Sequence, residues 1–197
     1  YQEHKENVAL ALSVCESLGI SREKAIQGMW LARPDPGALT IHEVDWGQHR
    51  LVFANGFAAN DPFSSAILWH DVLKKFPDCK HRIAIMNCRA DRKQRSQQFA
   101  EACSSWEPAD QYIAVGPGAG DFVRAALRAG ISQISLVDAS NWNAKTLFAN
   151  LVKTDEHSPS LLDNPLPLLV VGMGNIAGIG FDIVDYIHRY QSAKEIY

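Results

Sequence analysis

A chain of 197 residues with 47% apolar and 21% charged residues is long and apolar enough to bury one core, which predicts one domain with or without an extension. Its formal net charge of −3 argues against a nucleic-acid partner, since phosphate binding needs clustered positive charge. The longest apolar runs fall far short of the roughly 20 residues of a membrane-spanning helix, and the first ten residues lack the pattern of a secretory signal.

The first two predicted elements are helices. Residues 3–18 carry apolar side chains near helical spacing and end at Gly19, and residues 21–29 predict a second, short helix with Ser21 as its N-cap. The two prolines of residues 32–38, ARPDPGA, then predict a hinge or domain boundary. Because the chain opens inside an amphipathic pattern and without an initiator Met, we expect it to be the later part of a longer polypeptide.

An α/β pattern follows. Two β-rich runs, ALTIHEVDW and HRLVFANGF, predict an antiparallel pair joined by a turn at Gly47. Predicted helices near 63–76, 92–104, 121–130, 142–152 and 179–191 then alternate with predicted strands at 82–87, 111–116, 134–138 and 166–172. This alternation predicts an α/β fold with a mostly parallel, Rossmann-like sheet, helices on both faces and an antiparallel edge hairpin. The polar stretch 153–165 is predicted to be a surface loop.

Five of the predicted strands end in polar or glycine-rich segments. In chain order these are FANGFAAND, MNCRADR, VGPGAGD, LVDAS and VGMGNIAG. In open parallel sheets, ligands bind outside the carboxyl ends of the strands. The sequence therefore predicts a functional site along this one edge of the sheet.

Two glycine-rich segments raise a dinucleotide-binding interpretation. VGPGAGD lies between a strand and a helix, and Asp138 ends the next strand, where an acid can hold a ribose. However, Asp121 stands where a third small residue is expected, and its carboxylate would repel a phosphate. GMGNIA, residues 172–177, fits the glycine pattern better, but no strand with a ribose-binding acid follows it. The alternative is that these glycines serve tight turns and packing, and an NAD-dependent oxidoreductase stays open as a second hypothesis.

An arginine cluster follows the strand at 82–87. Arg89, Arg92 and Arg95 recur every three residues from the strand end into a helix. Arginine suits a bidentate grip on carboxylate or phosphate, and Asp91 can orient a neighbouring guanidinium. The alternative is a solvated, charged helix face.

The remaining reactive residues predict no catalyst of their own. The four cysteines show no CxxC spacing and no neighbouring His cluster, which indicates structural thiols of a cytoplasmic protein and no metal site. The seven histidines are dispersed without metal-ligand spacing, and the G-x-S-x-G nucleophile elbow is absent from the sequence.

Taken in order, these segments resemble the Mur ligase superfamily. HKENVALALSVCESLGIS is similar to the helix that closes its ATP-binding domain, and ARPDPGAL to the segment that opens its carboxyl-terminal domain. FAANDPFS, NCRADRKQR and VVGMGNIAG stand in the places of three further family motifs. The Pro-Asp-Pro-Gly after Arg33, FANGFAANDP and GNIAGIG resemble one branch in particular, the Mur-ligase-like subunit of poly-γ-glutamate synthase. The resemblance implies that residues 1–32 are the helical end of an ATP-binding domain and residues 33–197 a Mur-ligase-like carboxyl-terminal α/β domain.

The resemblance also implies a reaction, namely ATP- and Mg²⁺-dependent formation of γ-glutamyl amide bonds through an acyl phosphate. By the same resemblance, Asn7 would lie near the adenine, Arg33 near the nucleotide at the hinge, and Asn60 and Asp61 would meet the ribose or phosphates. Mg²⁺ and arginines neutralise phosphate charge in such a reaction.

For the substrate, the resemblance implies that Arg89 and Arg92, with Asp91, hold a glutamate carboxylate or the polyanionic poly-γ-glutamate chain. Two segments depart from the family's pattern. Phe57 replaces the family's loop Asp, and the segment 173–175, Met-Gly-Asn, replaces Lys-Gly-His.

The sequence contains no G-x-x-x-x-G-K-[ST], so the loop that cradles ATP phosphates is expected upstream. We therefore expect the chain to be inactive without an upstream ATP-binding region. The resemblance further implies membrane subunits of the synthase as partners and a cytoplasmic location, peripheral to the membrane. A third hypothesis is a non-catalytic docking module of a capsule synthase or export complex.

Overall fold

The structure, a computed structural model, describes residues 5–32, 37–47, 49–151 and 167–194. Seven α-helices and six strands follow one another in these ranges: α1 (Lys5–Ser17), α2 (Arg22–Leu31), β1 (Thr40–Trp46), β2 (His49–Asn55), α3 (Pro62–Lys75), β3 (His81–Asn87), α4 (Lys93–Cys103), β4 (Gln111–Val115), α5 (Ala119–Arg128), β5 (Leu136–Ala139), α6 (Ala144–Leu151), β6 (Leu168–Met173) and α7 (Ile179–Lys194). Two short 3₁₀ helices precede α4 and β5.

The six strands form one sheet in the order β1-β2-β6-β3-β4-β5. β1 pairs with β2 in antiparallel fashion at the sheet edge, and every other neighbouring pair is parallel. The predicted α/β class, with its mostly parallel sheet and antiparallel edge hairpin, is therefore confirmed. The last strand in the chain, β6, inserts between β2 and β3, which places the two strand ends HRLVFAN and HRIAIMN on either side of it.

Helices cover both faces of the sheet, as predicted. Helices α3, α4 and α5 share one buried cluster with alternate strand residues, whereas α6 and α7 share the opposite cluster. The strands turn small side chains such as Ala54 and Ala84 toward the first face and bulky ones such as Phe53 and Ile85 toward the second. Because successive strand residues point to opposite faces, these near-continuous apolar strands fill both cores at once.

The structure shifts two predicted element boundaries. The strand predicted at 134–138 begins only at Leu136, because Gln133–Ser135 form a 3₁₀ turn that the Ser132 hydroxyl caps by accepting the Ile134 N–H. The helix predicted near residue 92 begins as a separate 3₁₀ turn over Ala90–Arg92. The predicted surface loop 153–165 lies outside the described residues, and so do residues 33–36 of the predicted hinge.

Helices α1 and α2 expose large apolar side chains. The exposed fractions are 68% for Leu10, 73% for Leu18, 84% for Trp30 and 86% for Leu31. The cap predicted for the second helix is confirmed, since the Ser21 hydroxyl accepts the Lys24 N–H at 3.4 Å. None of the helices in the described part of the chain is long and apolar enough to cross a membrane.

Candidate functional site

The predicted functional edge coincides with a topological switch point of the sheet. The chain leaves β3 toward α4 on one face, whereas it leaves the neighbouring strand β6 toward α7 on the other face. The two connections therefore diverge and open a crevice between the carboxyl ends of β3 and β6, which is where open α/β sheets bind ligands. We call the segments after β2, β3 and β6 the β2 loop (56–61), the β3 loop (88–92) and the β6 loop (174–178).

Asn87, the last residue of β3, holds the crevice together. Its side chain is 5% exposed, and its Nδ2 donates to the carbonyl oxygens of Asn175 at 2.6 Å and Ala177 at 2.9 Å, both in the β6 loop. Gly174 has a φ of +99°, and a Cβ placed on it would lie 2.8 Å from the Asn87 carbonyl oxygen. The β6 loop thus fits against β3 only because a glycine and a buried amide face each other there.

The prediction of site residues passed over Asn87. The sequence does carry a signal for it, because β2 and β3 share one pattern, His-Arg followed by four apolar residues and Asn. A buried amide that ends two strands of the same sheet needs hydrogen-bond partners in the loops beyond them. Asn55 follows the same rule with different partners, the Ala38 carbonyl at 3.5 Å and the Thr40 hydroxyl at 3.4 Å.

The β2 loop contains the predicted residues Asn60 and Asp61, and both are exposed at the crevice edge. Asp61 is the N-cap of α3, where its Oδ1 accepts the Ser64 N–H at 2.9 Å. Burial opposes ionisation of the Asp61 carboxyl, but hydrogen bonds from Ser64 and Phe63 and the charge of Arg95 outweigh it, so its pKa lies below its usual range. The carboxylate therefore already has a structural partner.

Phe57, which stands in the place of the family's loop Asp, is a core residue. It is 1% exposed, and its ring lies so close to Gly172 that a Cβ there would meet a ring carbon at 2.5 Å. The next residues of the β2 loop are tied to its neighbours, since the Ala58 N–H donates to the Gly37 carbonyl at 2.8 Å and the Gly174 N–H donates to the Ala59 carbonyl at 3.4 Å. The β2 loop is thus anchored by packing and not by charge.

The β3 loop presents the arginines. The Arg89 guanidinium donates two hydrogen bonds to the Asp91 carboxylate, at 2.8 and 2.7 Å, in a fork-to-fork pair. This contact raises the pKa of Arg89 and lowers the pKa of Asp91. Asp91 therefore fixes the orientation of Arg89. Arg92 is exposed and Arg95 half-buried, and neither forms a salt bridge with any residue that the structure describes.

Two cavities open at this rim. The first, which we call the arginine pocket, has a volume of about 20 Å³ and lies on the α4 side; its lining includes Asn87, Arg89, Arg92, Arg95, Ser96 and Phe99. The second, which we call the wide cleft, has a volume of about 360 Å³ and lies beside α7; its lining includes Asn87, Arg89, Gly116, Ser140, Trp142 and Ile179. Asn87 and Arg89 lie between the two and contribute to both.

The remaining predicted cofactor residues lie elsewhere or outside the description. Asn7 is exposed on α1 and lines neither cavity, and Arg33 lies outside the described residues. Within the described ranges, no group of three or more His, Cys, Asp or Glu side chains is arranged to hold a metal ion.

Two of the three glycines of VGPGAGD, Gly116 and Gly118, face protein backbone. A Cβ on Gly116 would lie 2.7 Å from the Cys88 carbonyl oxygen, and one on Gly118 would lie 2.5 Å from that of Arg89. Asp121 is paired with Arg124 at 2.7 Å, and the hydrogen bond from Arg124 lowers its pKa. The β3 loop therefore occupies the space over these glycines in which a pyrophosphate would have to lie, and packing accounts for both of them.

Cys88 lies between Asn87 and Arg89 and lines both cavities. Burial raises the pKa of its thiol to about 12, because the charged form is penalised in an apolar surrounding. The thiol is neutral near pH 7, and the thiolate is the nucleophilic form of cysteine. Cys88 is therefore a buried packing residue of this site and not a nucleophile at neutral pH.

Comparisons with known proteins identify the family that the chain resembles. A family model described as "Poly-gamma-glutamate synthase CapB C-terminal domain" matches residues 41–190. The chain is 33% identical over 195 residues to "Capsule biosynthesis protein CapB" of Bacillus anthracis, and 34% identical over 191 residues to "PGA synthase CapB" of Bacillus subtilis strain 168. These matches cover 99% and 97% of this chain but 40% and 46% of the relatives, so the chain spans less than half the length of the curated relatives it matches.

Solved structures show the same fold at low identity. MurF from Acinetobacter baumannii aligns with a TM-score of 0.58 and 16% identity, covering 93% of this chain and 36% of that one. A murein peptide ligase Mpl from Psychrobacter arcticus aligns with a TM-score of 0.55 and 14% identity, covering 98% of this chain and 38% of that one. The described α/β fold is therefore a Mur-ligase-like fold.

Proposed function

The chain belongs to the poly-γ-glutamate synthase CapB C-terminal domain family, and from this premise we propose that it is the glutamate-binding portion of an ATP-dependent ligase that forms γ-glutamyl amide bonds. The observation that carries the proposal is the pair of cavities at the switch point, with Arg89 between them and held by Asp91. A pre-oriented guanidinium beside a cleft suits recognition of a carboxylate.

The wide cleft has the size of a small-molecule site. Its volume of about 360 Å³ lies within the range of roughly 300 to 1,000 Å³ typical of ligand pockets. Trp142 and Ile179 offer apolar contacts for a methylene chain, and Arg89 offers a charge for a carboxylate. This combination fits free glutamate, with its α-carboxylate on Arg89.

The residues of this chain bind and position, and the activating chemistry comes from the co-substrate. When bound, ATP would transfer its γ-phosphoryl group to a γ-carboxylate with release of ADP, while Mg²⁺ neutralises phosphate charge, and in the resulting acyl phosphate the phosphate is the leaving group. The amino nitrogen of a second glutamate then forms the new C–N bond as the C–O bond to phosphate breaks, and the nitrogen releases a proton to solvent. Arg89 orients that glutamate, and Asn87 fixes the loops on both sides of it.

Two features support the proposal that a further region of the same enzyme completes the site. The curated relatives extend well beyond the matched residues. The exposed Leu10, Leu18, Trp30 and Leu31 form apolar surface of the kind that marks an interface. We propose that the ATP-binding region of the enzyme covers this surface, and that Asn60 and Asp61 face its nucleotide.

The test is glutamate-dependent ADP release by the chain produced together with the preceding region of the relatives. Changing Arg89→Ala is expected to lower kcat/KM for glutamate about tenfold or more, the usual effect of losing a charge-assisted hydrogen bond. The matched control is Arg128→Ala, which removes an exposed arginine at the far end of α5 and is expected to leave turnover unchanged.

Three results would contradict the proposal. Full turnover by the chain alone would refute the need for a further region. ADP release that does not depend on glutamate would refute the substrate. No release under any condition, with both parts folded, would favour the non-catalytic docking module.

A further inference from the structure

We infer that the two cavities take different anions. The wide cleft takes free glutamate, and the arginine pocket takes a carboxylate of the poly-γ-glutamate chain. This inference rests on the proposed function and deepens it, because it assigns separate subsites to monomer and polymer. Poly-γ-glutamate keeps one free α-carboxylate on every residue, so the polymer presents a row of negative charges to the protein.

The first argument is arginine charge that forms no salt bridge in the described part of the chain. Six arginines in the described part of the chain form salt bridges: Arg22, Arg50, Arg82, Arg89, Arg124 and Arg189. Three form none there, and two of those, Arg92 and Arg95, line the same pocket. Arg92 is the N-cap of α4 and Arg95 lies in its first turn, and both line this pocket. The charge of Arg92 acts on Asp91 and that of Arg95 on Asp61. Neither guanidinium is held in a salt bridge by a residue that the structure describes, so both can bind an external anion.

The second argument is the size of the pocket. A volume of about 20 Å³ holds little more than one water-sized group, for which about 10 to 15 Å³ is needed. A whole glutamate does not fit inside, but one oxygen of a carboxylate does, with the rest of its chain lying outside along the arginines. The wide cleft is many times larger and encloses a monomer.

The third argument is the separation of the two cavities. The Asn87 side chain and its hydrogen bonds to the Asn175 and Ala177 carbonyls span the crevice between them. Ser96 and Phe99 place the arginine pocket on the α4 face of the sheet, whereas Ile179 places the wide cleft beside α7. Helix α4 also begins without a side-chain cap, so the positive end of its dipole adds to the charge beside the pocket. A polymer on the α4 face and a monomer on the α7 face meet at Arg89.

The test measures binding and does not depend on turnover. A fluorescently labelled, short γ-linked glutamate oligomer is titrated with the chain produced together with the preceding region of the relatives, and its affinity is read by fluorescence anisotropy. Free glutamate is titrated by calorimetry. The double variant Arg92→Ala with Arg95→Ala is expected to bind the oligomer about tenfold more weakly, as two exposed charge pairs are lost. Its affinity for free glutamate is expected to stay within about twofold of the unaltered chain.

Two matched variants calibrate this result. Arg128→Ala removes the third arginine without a salt bridge in the described residues, and it is expected to leave both affinities unchanged. Replacing Arg92 and Arg95 by Lys keeps the charge but not the bidentate geometry, and it is expected to restore part of the oligomer affinity. Oligomer binding is expected to weaken with added salt more steeply than glutamate binding, since it involves more charges. Circular dichroism confirms that each variant is folded.

The outcomes separate the inference from the function on which it rests. If the double variant binds the oligomer as well as the unaltered chain while Arg89→Ala loses it, the two-subsite inference is wrong and the proposed function stands. If inorganic phosphate displaces the oligomer at equal charge and the double variant loses phosphate binding as well, the pocket is a phosphate site and the inference is wrong. If neither glutamate nor the oligomer binds the unaltered chain produced together with the preceding region of the relatives, the proposed function fails with it.

Discussion

The loops that leave β2 and β3 begin alike and end differently. Both strands run from His-Arg through four apolar residues to a buried Asn. Asn55 makes contacts near the sheet edge, with Thr40 and the Ala38 carbonyl, whereas Asn87 bridges to the β6 loop about ninety positions away along the chain. The β2 loop then caps its helix with Asp61, and the β3 loop enters α4 with no side-chain cap and with arginines at the rim.

The difference follows from the position of each strand in the sheet. β2 has the antiparallel strand β1 on one side, so its Asn finds partners in the segment that leads into β1. β3 lies between two parallel strands that both end in glycine turns, so its Asn is enclosed by Gly116, Gly174 and Gly180. Asn55, at the edge of the sheet, thus makes local contacts, whereas Asn87, at the centre, connects segments that are far apart in the chain. The central loop is left free to hold the charged residues.

The largest expected effect on stability comes from replacing Asn87, the buried amide at the centre of the sheet. Asn87→Ala deletes two hydrogen bonds and leaves two partly buried carbonyl groups without their donor, so we expect the free energy of unfolding to fall by about 2 to 4 kcal/mol. Asn55→Ala is the matched change, and its longer contacts of 3.4 to 3.5 Å, to the Ala38 carbonyl, the Thr40 hydroxyl and the Phe57 N–H, predict a smaller loss of about 1 to 2 kcal/mol. Urea unfolding followed by circular dichroism measures both. Equal losses, or a larger loss for Asn55→Ala, would show that sheet position does not set the role of the amide.

An intermediate loss of stability is expected from substitutions in the β6 loop, which accepts the hydrogen bonds of Asn87. Gly174 and Gly178 both have positive φ angles, +99° and +69°, but only Gly174 faces the Asn87 carbonyl, at 2.8 Å from a built Cβ. Gly174→Ala combines backbone strain with a clash and is expected to cost about 2 to 3 kcal/mol. Gly178→Ala meets no atom within 4 Å and is expected to cost about 1 kcal/mol, from backbone strain alone. Urea unfolding compares the two variants. Equal losses in the free energy of unfolding would show that the close approach of Gly174 to the Asn87 carbonyl does not contribute.

The sequence predicted the sheet well because periodicity and glycine-rich strand ends are local signals. The antiparallel hairpin, the parallel strands and the helices on both faces all follow from patterns within a few residues. The sequence could not give the order of the strands, since the insertion of β6 between β2 and β3 is decided by long-range packing. That order is what brings the β2, β3 and β6 loops together.

The sequence predicted the charged residues of the candidate site, but it did not predict that the site consists of two cavities. The cluster Arg89, Asp91 and Arg92 stands out in the sequence by residue type, and the structure shows Arg89 and Asp91 paired. Whether the arginines line one cavity or two depends on Asn87 and Asn175, whose contact joins two strands far apart in the chain. Phe57 is a residue whose role the sequence did not reveal. It stands where the resemblance places a loop Asp, and only the structure shows that its ring packs against Gly172.

The smallest expected effect concerns the cap that distinguishes the β2 loop. Asp61→Ala removes the acceptor for the Ser64 N–H at the start of α3 and is expected to destabilise the chain by about 1 kcal/mol near pH 7. Asp61→Asn keeps an acceptor oxygen and is expected to stay within about 0.5 kcal/mol of the unaltered chain. Urea unfolding at several pH values measures the three proteins side by side.

The pH dependence has a definite sign. Because folding lowers the pKa of Asp61 from its usual 3.8, the charged cap contributes stability that is fully present above that value and is lost as the pH falls through the lower pKa of the folded state. The stability difference between the unaltered chain and Asp61→Ala should therefore shrink below about pH 3.8. A difference that stays constant into acid would show that the carboxylate charge does not stabilise α3. If Asp61→Asn is stable but slows ADP release in the completed enzyme, the carboxylate has a second role at the nucleotide, as proposed for the β2 loop.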